Sequence, residues 1–213
     1  DVYGPNVPVM MGILEKPRGA EGKLMPIEAH GIKTMSVGYM IEDGQPVMWR
    51  GPMLHRALEQ FLQDVEWGEL DYLIVDMPPG TGDAQLSLSQ LVPLTGMVVV
   101  TMPQEVSLTD VRRAIGMAQQ VKTDVLGVVE NMTGEIFGEG GGAATAEKFH
   151  VPLLGSIPLE ASMRVGGDEG IPIVIAEPDG QIAGIFKEIA GKVAQEVAKK
   201  SAMALPVLDV LDV

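Results

Sequence analysis

Residues 71–83, Asp-Tyr-Leu-Ile-Val-Asp-Met-Pro-Pro-Gly-Thr-Gly-Asp, contain the pattern that decides the fold. An apolar run from Tyr72 to Val75 ends on an acid, Asp76, and then breaks into a Pro-Pro-Gly-Thr-Gly turn. A continuous apolar run of this length is typical of a buried strand in a parallel sheet. A carboxylate after such a strand stands at the edge where open α/β sheets bind ligands. It could hold Mg²⁺ beside a phosphate; the plainer alternative is a strand end followed by a proline turn.

Helical and extended patterns alternate along the rest of the chain. We predict strands at residues 72–75, 97–101, 125–129 and 153–155, with a further strand at 33–38, and helices that begin near Gly51, Ser107, Ala143 and Ile182. Residues 1–32 lack a clean period and predict an irregular stretch with short helical pieces. Strands that alternate with helices imply right-handed crossovers, so the predicted fold is α/β, a three-layer sandwich with a mostly parallel sheet.

Several motifs together resemble one protein family. The segment Asp76–Asp83 resembles switch II of the Mrp/ApbC family of deviant P-loop ATPases, which are relatives of MinD, ParA and nitrogenase iron protein, and Asp1–Asn6 resembles its switch I. Four more motifs follow in the family's order: Trp49–Met53, Glu130–Met132, Gly140–Gly142 and Ser156–Leu159. The resemblance implies a single P-loop NTPase-like ATPase domain over residues 1–200, followed by an extended C-terminal tail over 201–213.

Two features of that family are missing from the sequence. No Gly-Lys-Gly-Gly-x-Gly-Lys-Ser/Thr loop occurs, although a phosphate-binding loop is the centre of this fold. The chain also contains no cysteine, whereas family members carry Cys-Pro-x-Cys between the Asn-Met and Gly-rich motifs; here Met132 is followed directly by Thr133. We expect the first strand and P-loop upstream of Asp1, and the cysteines in the complete gene product.

The resemblance assigns the phosphate end of a nucleotide site to three residues. Asp76 is the expected Mg²⁺ residue, Asp1 is expected to orient the attacking water, and the backbone at Gly80 is expected to sense the γ-phosphate. Phosphoryl transfer needs positioning and electrostatic stabilisation more than covalent chemistry, which suits this set. The alternative is that either Asp only caps the helix that follows it.

Base recognition is assigned by resemblance to Asn131 and to the backbone of Ile157 and Pro158. A carboxamide offers both a donor and an acceptor, as the edge of adenine does. Without the family, Asn131 would be interpreted as a turn former. The Gly140–Gly142 triplet precedes a helix but lacks a following Lys-Ser/Thr, so we interpret it as a flexible joint and not as a phosphate loop.

The resemblance implies a homodimeric, cytoplasmic ATPase that uses ATP and Mg²⁺ and transfers iron–sulfur clusters to apoproteins. A [4Fe–4S] cluster is expected only if cysteines exist, because such clusters are held by thiolates. The net charge of −14 disfavours nucleic acid and anionic membranes as partners. The alternatives are a MinD/ParA-like positioning ATPase, which the acidic ending at 208–212 disfavours, and a non-enzymatic scaffold.

Overall fold

The structure is a computed structural model that describes residues 5–20, 22–41, 51–78 and 82–204. Two compact units make up the chain: unit 1 comprises Asp1–Pro93 and Glu160–Gly180, and unit 2 comprises Leu94–Leu159 and Gln181–Val213. Three of the predicted features, Asp1, Gly80 and residues 205–213 of the tail, lie outside the described residues.

Unit 2 is built on a parallel sheet. Its strands are β5 (Met97–Thr101), β6 (Val125–Thr133) and β7 (Leu153–Pro158), in the order β5-β6-β7. The register places Val99 opposite Val128 and Glu130 opposite Ser156. The β-branched run in β6 suits a strand whose two faces are both covered, and residues 126–130 are all buried, whereas Val100 of β5 is exposed. The predicted parallel α/β sheet is therefore confirmed, and β6 and β7 run farther than the apolar pattern alone indicated.

Helices cover both faces of this sheet. The helices α4 (Glu105–Gln120) and α5 (Gly141–Phe149) pack on one face, where a buried cluster joins strands to helices: Val99, Val111, Ile115, Val128 and Ala146. The long helix α8 (Gln181–Ala204) packs on β7 and β6. Contact with α8 is so close that a Cβ on Gly155 would lie 2.6 Å from Cγ1 of Ile189. Unit 2 therefore has the three layers that the sequence predicts.

The start of α4 differs from the prediction. The helix begins at Glu105 with Gln104 as its N-cap, so the start predicted near Ser107 is two residues too late. The hydroxyl of Ser107 instead accepts a hydrogen bond from the backbone N–H of Met102 at 3.2 Å. This hydrogen bond connects the end of β5 to the first turn of α4. Ser107 therefore lies inside the helix and is not its N-cap.

Unit 1 combines short helices with two small antiparallel hairpins. Its elements are α1 (Val7–Met10), β1 (Gly19–Ala20), β2 (Lys23–Leu24), β3 (Ile27–Ala29), β4 (Ile32–Thr34), a 3-10 turn (Val37–Tyr39), α2 (Gly51–Gln63), α3 (Asp83–Leu91), α6 (Ala161–Glu169) and α7 (Ile173–Ala176). The pairs β1–β2 and β3–β4 were not predicted, because two- and three-residue strands show no period. The strand predicted at 33–38 is reduced to its first two residues, which belong to β4.

The strand predicted at Tyr72–Val75 is not formed. Residues 72–78 have no regular secondary structure, and the side chains of Tyr72, Leu73 and Ile74 are 56%, 46% and 88% exposed. An apolar run forms a strand only where a neighbouring strand bonds to its backbone. No strand in the described part of the chain pairs with this run, so its backbone forms no ladder. It instead borders a cavity of about 50 Å³ that Leu58, Phe61 and Leu88 also line.

Among the helices of the described ranges, none is long and apolar enough to cross a membrane.

Candidate functional site

A β-bulge at the carboxyl end of β6 brings three of the predicted site residues together. The pair Glu130–Ser156 and the pair Thr133–Pro158 are both in register. Between these pairs β6 has two residues, Asn131 and Met132, whereas β7 has only Ile157. Met132 adopts a positive φ of 57°, which lets the strand absorb the extra residue. Bulges of this kind change the direction of a side chain and are frequent beside active sites.

Asn131 is held in one orientation by its own backbone. Its Oδ1 accepts a hydrogen bond from the N–H of Met132 at 2.9 Å. No group in the described ranges accepts a hydrogen bond from its Nδ2, and the side chain is half-buried. The fixed amide therefore presents a donor to whatever lies at this edge, for example a ring nitrogen of a base.

The other side of the bulge is rigid. Ile157 is buried, and the N–H of Leu159 donates to the carbonyl of Thr133 at 2.9 Å, so pairing continues to the end of β7. Asn131, Ile157 and Pro158 are thus neighbours at one sheet edge. This arrangement allows a side-chain amide and a backbone to contact the same planar ligand.

Glu130, which sequence reasoning missed as a site residue, is a buried carboxylate. The residue is 2% exposed. Its Oε1 accepts from the N–H of Gly142 at 2.7 Å, and its Oε2 accepts from the N–H of Gly140 at 3.1 Å and from Oγ of Ser156 at 3.4 Å. A buried charge is costly unless it is hydrogen-bonded, and these donors at the start of α5 satisfy it. The only signal in the sequence is a lone acid in an apolar strand that is followed, ten residues later, by a glycine triplet.

The glycine triplet is a close-fitting turn and not a flexible joint. Gly140 has a φ of +89°. A Cβ on Gly141 would lie 2.3 Å from the carbonyl oxygen of Pro103, and one on Gly142 would lie 2.8 Å from Cβ of Glu130. The N–H groups that would bind a phosphate in a glycine-rich loop bind the protein's own carboxylate here. The inference that this triplet is not a phosphate loop is consistent with that contact.

The segment between the bulge and the glycine triplet is a short closed loop. Gly134 and Gly138 exchange two backbone hydrogen bonds, at 3.0 and 2.7 Å, and Ile136 at the tip is 73% exposed. The described residues contain no group of three His, Cys, Asp or Glu side chains that could hold a metal ion. Because the 213 residues include no cysteine, they offer no thiolate to an iron–sulfur cluster.

Asp76 lies in unit 1, in the irregular segment that precedes α3. Its side chain is exposed, and the carbonyl of Pro78 accepts a hydrogen bond from Nε2 of Gln85 at 2.9 Å, which ties this segment to α3. The N-cap of α3 is Gly82, so Asp76 does not cap the helix that follows it. The alternative of a purely capping role is therefore excluded for Asp76, while its role toward Mg²⁺ stays a prediction.

A model of the ParA group described as "NUBPL iron-transfer P-loop NTPase" matches residues 1–194. The chain belongs to this family. The match includes both the segment of Asp76 and the bulge at Asn131, and it confirms the resemblance that the motifs indicated.

Curated relatives carry names that refer to iron–sulfur chemistry. The "Iron-sulfur cluster carrier protein" of Synechocystis is 49% identical over 214 residues, which cover 91% of this chain and 61% of the relative. The protein of the same name in Escherichia coli K12 is 44% identical, with 92% and 57% covered. "Iron-sulfur protein required for NADH dehydrogenase, mitochondrial" of Arabidopsis is 45% identical, with 92% and 66% covered. The chain thus spans about three fifths of the curated relatives it matches.

Solved structures support the same fold. The nucleotide-binding protein in complex with ADP from Archaeoglobus fulgidus is similar at a TM-score of 0.68 and 33% identity, over 84% of this chain and 74% of that one. The cell division ATPase MinD of Pyrococcus furiosus is similar at a TM-score of 0.65 and 20% identity, over 90% and 81%. The second likeness bears on the fold alone.

Proposed function

We propose that the protein hydrolyses ATP and carries iron–sulfur clusters to apoproteins. The observation that carries this proposal is the match of residues 1–194 to the iron-transfer P-loop NTPase family. The names of the curated relatives and the ADP complex of the Archaeoglobus structure support it. We further propose a homodimer, with apoproteins as acceptors of the cluster.

For contact with Mg²⁺ and the phosphates we propose Asp1, Asp76 and Gly80. Asp76 would hold Mg²⁺ directly or through water, and its exposed carboxylate in an irregular segment is accessible to a metal–nucleotide complex. Asp1 would orient the attacking water, and the backbone at Gly80 would sense whether the γ-phosphate is present. The cations that face the γ-phosphate would come from a P-loop, which residues 1–213 do not contain.

For recognition of the base we propose the bulge in β6. The Nδ2 of Asn131 would donate to adenine while its Oδ1 stays bonded to the N–H of Met132, and the backbone at Ile157 and Pro158 would border the ring. A half-buried amide fixed in advance loses little entropy when it binds a base, which favours selective recognition.

The cluster is the cargo of this function. Residues 1–213 supply no thiolate, so the ligands of a [4Fe–4S] cluster would have to come from outside this sequence. In a homodimer, two thiolates from each subunit would place the cluster on the twofold axis. The described residues would then provide the nucleotide-dependent part of the carrier.

Magnesium-dependent release of phosphate from ATP, measured on the complete gene product, tests the enzymatic half of the proposal. We expect Asp76→Asn to reduce the rate by about 10-fold or more, because a neutral amide is a poorer ligand for Mg²⁺ than a carboxylate. Asp71→Asn is the matched control, since Asp71 is an exposed acid of the same segment. Equal activities of the Asp76→Asn variant and the wild type would remove Asp76 from the metal site.

A further inference from the structure

We propose that Glu130 is the positioning residue of the base site: its buried carboxylate fixes the bulge that directs Asn131 toward the nucleotide. This inference rests on the proposed function, because it concerns how Asn131 discriminates between bases. Glu130 does not contact the nucleotide in this account. It acts through the backbone that it holds in place.

Glu130 joins three separate elements. It belongs to β6, its carboxylate accepts from two N–H groups at the start of α5, and its Oε2 lies 3.4 Å from the hydroxyl of Ser156 on β7. With 2% exposure, the carboxylate is shielded from water. Hydrogen bonds to a buried charge are stronger than neutral ones, so these contacts hold β6 firmly at this residue.

The backbone at Gly140–Gly142 fits the carboxylate of Glu130. The positive φ of Gly140 aims its N–H at Oε2, and the absence of a side chain on Gly142 lets the backbone approach within contact of the Glu130 side chain. An anion from solution would have to replace a side chain that already uses these donors. The turn therefore serves the internal contact.

The register of β6 and β7 connects the Glu130 carboxylate to Asn131. Glu130 and Ser156 form the last regular pair before the bulge, and Thr133 and Pro158 form the first pair after it. Asn131 and Met132 are therefore held between two fixed points. If the Glu130 contacts are lost, the anchor on the Asn131 side loosens, and the amide can rotate away from the direction that the hydrogen bond to Met132 now gives it.

Glu130→Gln tests the proposal with almost no change in volume. The amide NH₂ replaces one of the two acceptor oxygens, so one of the N–H groups of Gly140 and Gly142 faces a donor. We expect the ratio of ATP affinity to GTP affinity, measured by direct titration of the full-length protein, to fall several-fold (about 2- to 10-fold), close to the ratio of Asn131→Ala. The double variant should be no worse than Asn131→Ala alone, because both changes remove the same recognition.

Glu135→Gln is the matched control, since Glu135 is an exposed acid of the adjacent loop. In this variant the ratio of ATP affinity to GTP affinity should stay at the wild-type value. A merely structural loss in Glu130→Gln would weaken ATP and GTP equally and leave the ratio unchanged. An unchanged ratio in Glu130→Gln together with a reduced ratio in Asn131→Ala would overturn the positioning role and leave the proposed function intact. An unchanged ratio in Asn131→Ala would remove base recognition, and the positioning role with it.

Gly140→Ala gives a second route if Glu130→Gln does not fold. Nothing lies within 4 Å of the added Cβ, but an alanine disfavours the φ of +89° that directs this N–H to Oε2. The carboxylate stays in place and loses part of its anchor. We expect the ATP-to-GTP ratio to fall in the same direction by a smaller factor, and a ratio equal to that of the wild type would contradict the proposal.

Discussion

Neighbouring residues in β6 occupy different environments. Glu130, the last residue of the regular pairing, is buried and bonded to the N–H groups at the start of α5. Asn131, the first residue of the bulge, keeps part of its surface exposed. The extra residue, Met132, then bends the strand and supplies the N–H that holds Oδ1 of Asn131. One buried acid and one positive φ thus define the orientation of the candidate base-reading amide.

Asn131→Ala should lower the affinity for ATP and relax the preference over GTP. The lost amide leaves the base edge without its donor, and one neutral hydrogen bond contributes about 0.5–1.5 kcal/mol, so we expect a change of about 2- to 10-fold. Direct binding titrations with both nucleotides measure it. If the variant and the wild type discriminate equally between ATP and GTP, Asn131 is a turn former and does not recognise the base.

The sequence of the first turn of α5 is set by close contact. Gly142→Ala would place a Cβ 2.8 Å from the Cβ of Glu130, which is attached to the backbone of a central strand and has little freedom to move. We expect a loss of about 1–3 kcal/mol in the free energy of unfolding, as for overpacked cores. Thermal and denaturant unfolding measure this change.

Gly116→Ala, inside α4, is the matched control for that substitution. Nothing lies within 4 Å of its added Cβ, and the residue is in a helix interior. An alanine there should stabilise the protein by about 0.5–1 kcal/mol, because alanine has the higher helix propensity. If Gly142→Ala were as well tolerated as Gly116→Ala, the close-fitting turn would be contradicted.

Elements that depend on local pattern were predictable, and those that depend on distant partners were not. The helical spacing after Gly51-Pro52 and the β-branched run at Val125–Val129 produce α2 and β6 as expected. The run at Tyr72–Val75 has an equally clear pattern, yet it forms no strand, because a strand needs hydrogen-bonding neighbours that no described segment supplies. The hydrophobic pattern specifies what a segment prefers to bury but not whether a partner is present.

The candidate site shows the same division. The family motifs assigned base recognition to Asn131, Ile157 and Pro158, and the register of β6 and β7 brings these residues together. The bulge itself was not predictable, because one extra residue in a strand changes no composition or period. The buried role of Glu130 was also not predictable, since its partners are backbone N–H groups that carry no side-chain signature.

The net charge and the cysteine content of the 213 residues limit the functions that are compatible with this sequence. A net charge of −14 repels nucleic-acid backbones and anionic lipid surfaces, and this weighs against a positioning ATPase that acts on DNA or a membrane. The absence of cysteine from residues 1–213 means that these residues alone should bind no [4Fe–4S] cluster after anaerobic reconstitution with iron and sulfide. Stoichiometric cluster on this cysteine-free sequence would contradict the ligand chemistry.

The carrier function is tested most directly by transfer of a cluster. The donor is the reconstituted full-length protein, and the acceptor is an apoprotein whose activity requires a cluster. We predict about one [4Fe–4S] cluster per dimer and a rise in acceptor activity that follows the loss of cluster from the donor. The measurement uses iron and sulfide analysis of both proteins before and after mixing. ATP hydrolysis without any transfer would contradict the carrier function and favour a positioning ATPase, and the absence of both activities would leave a scaffold.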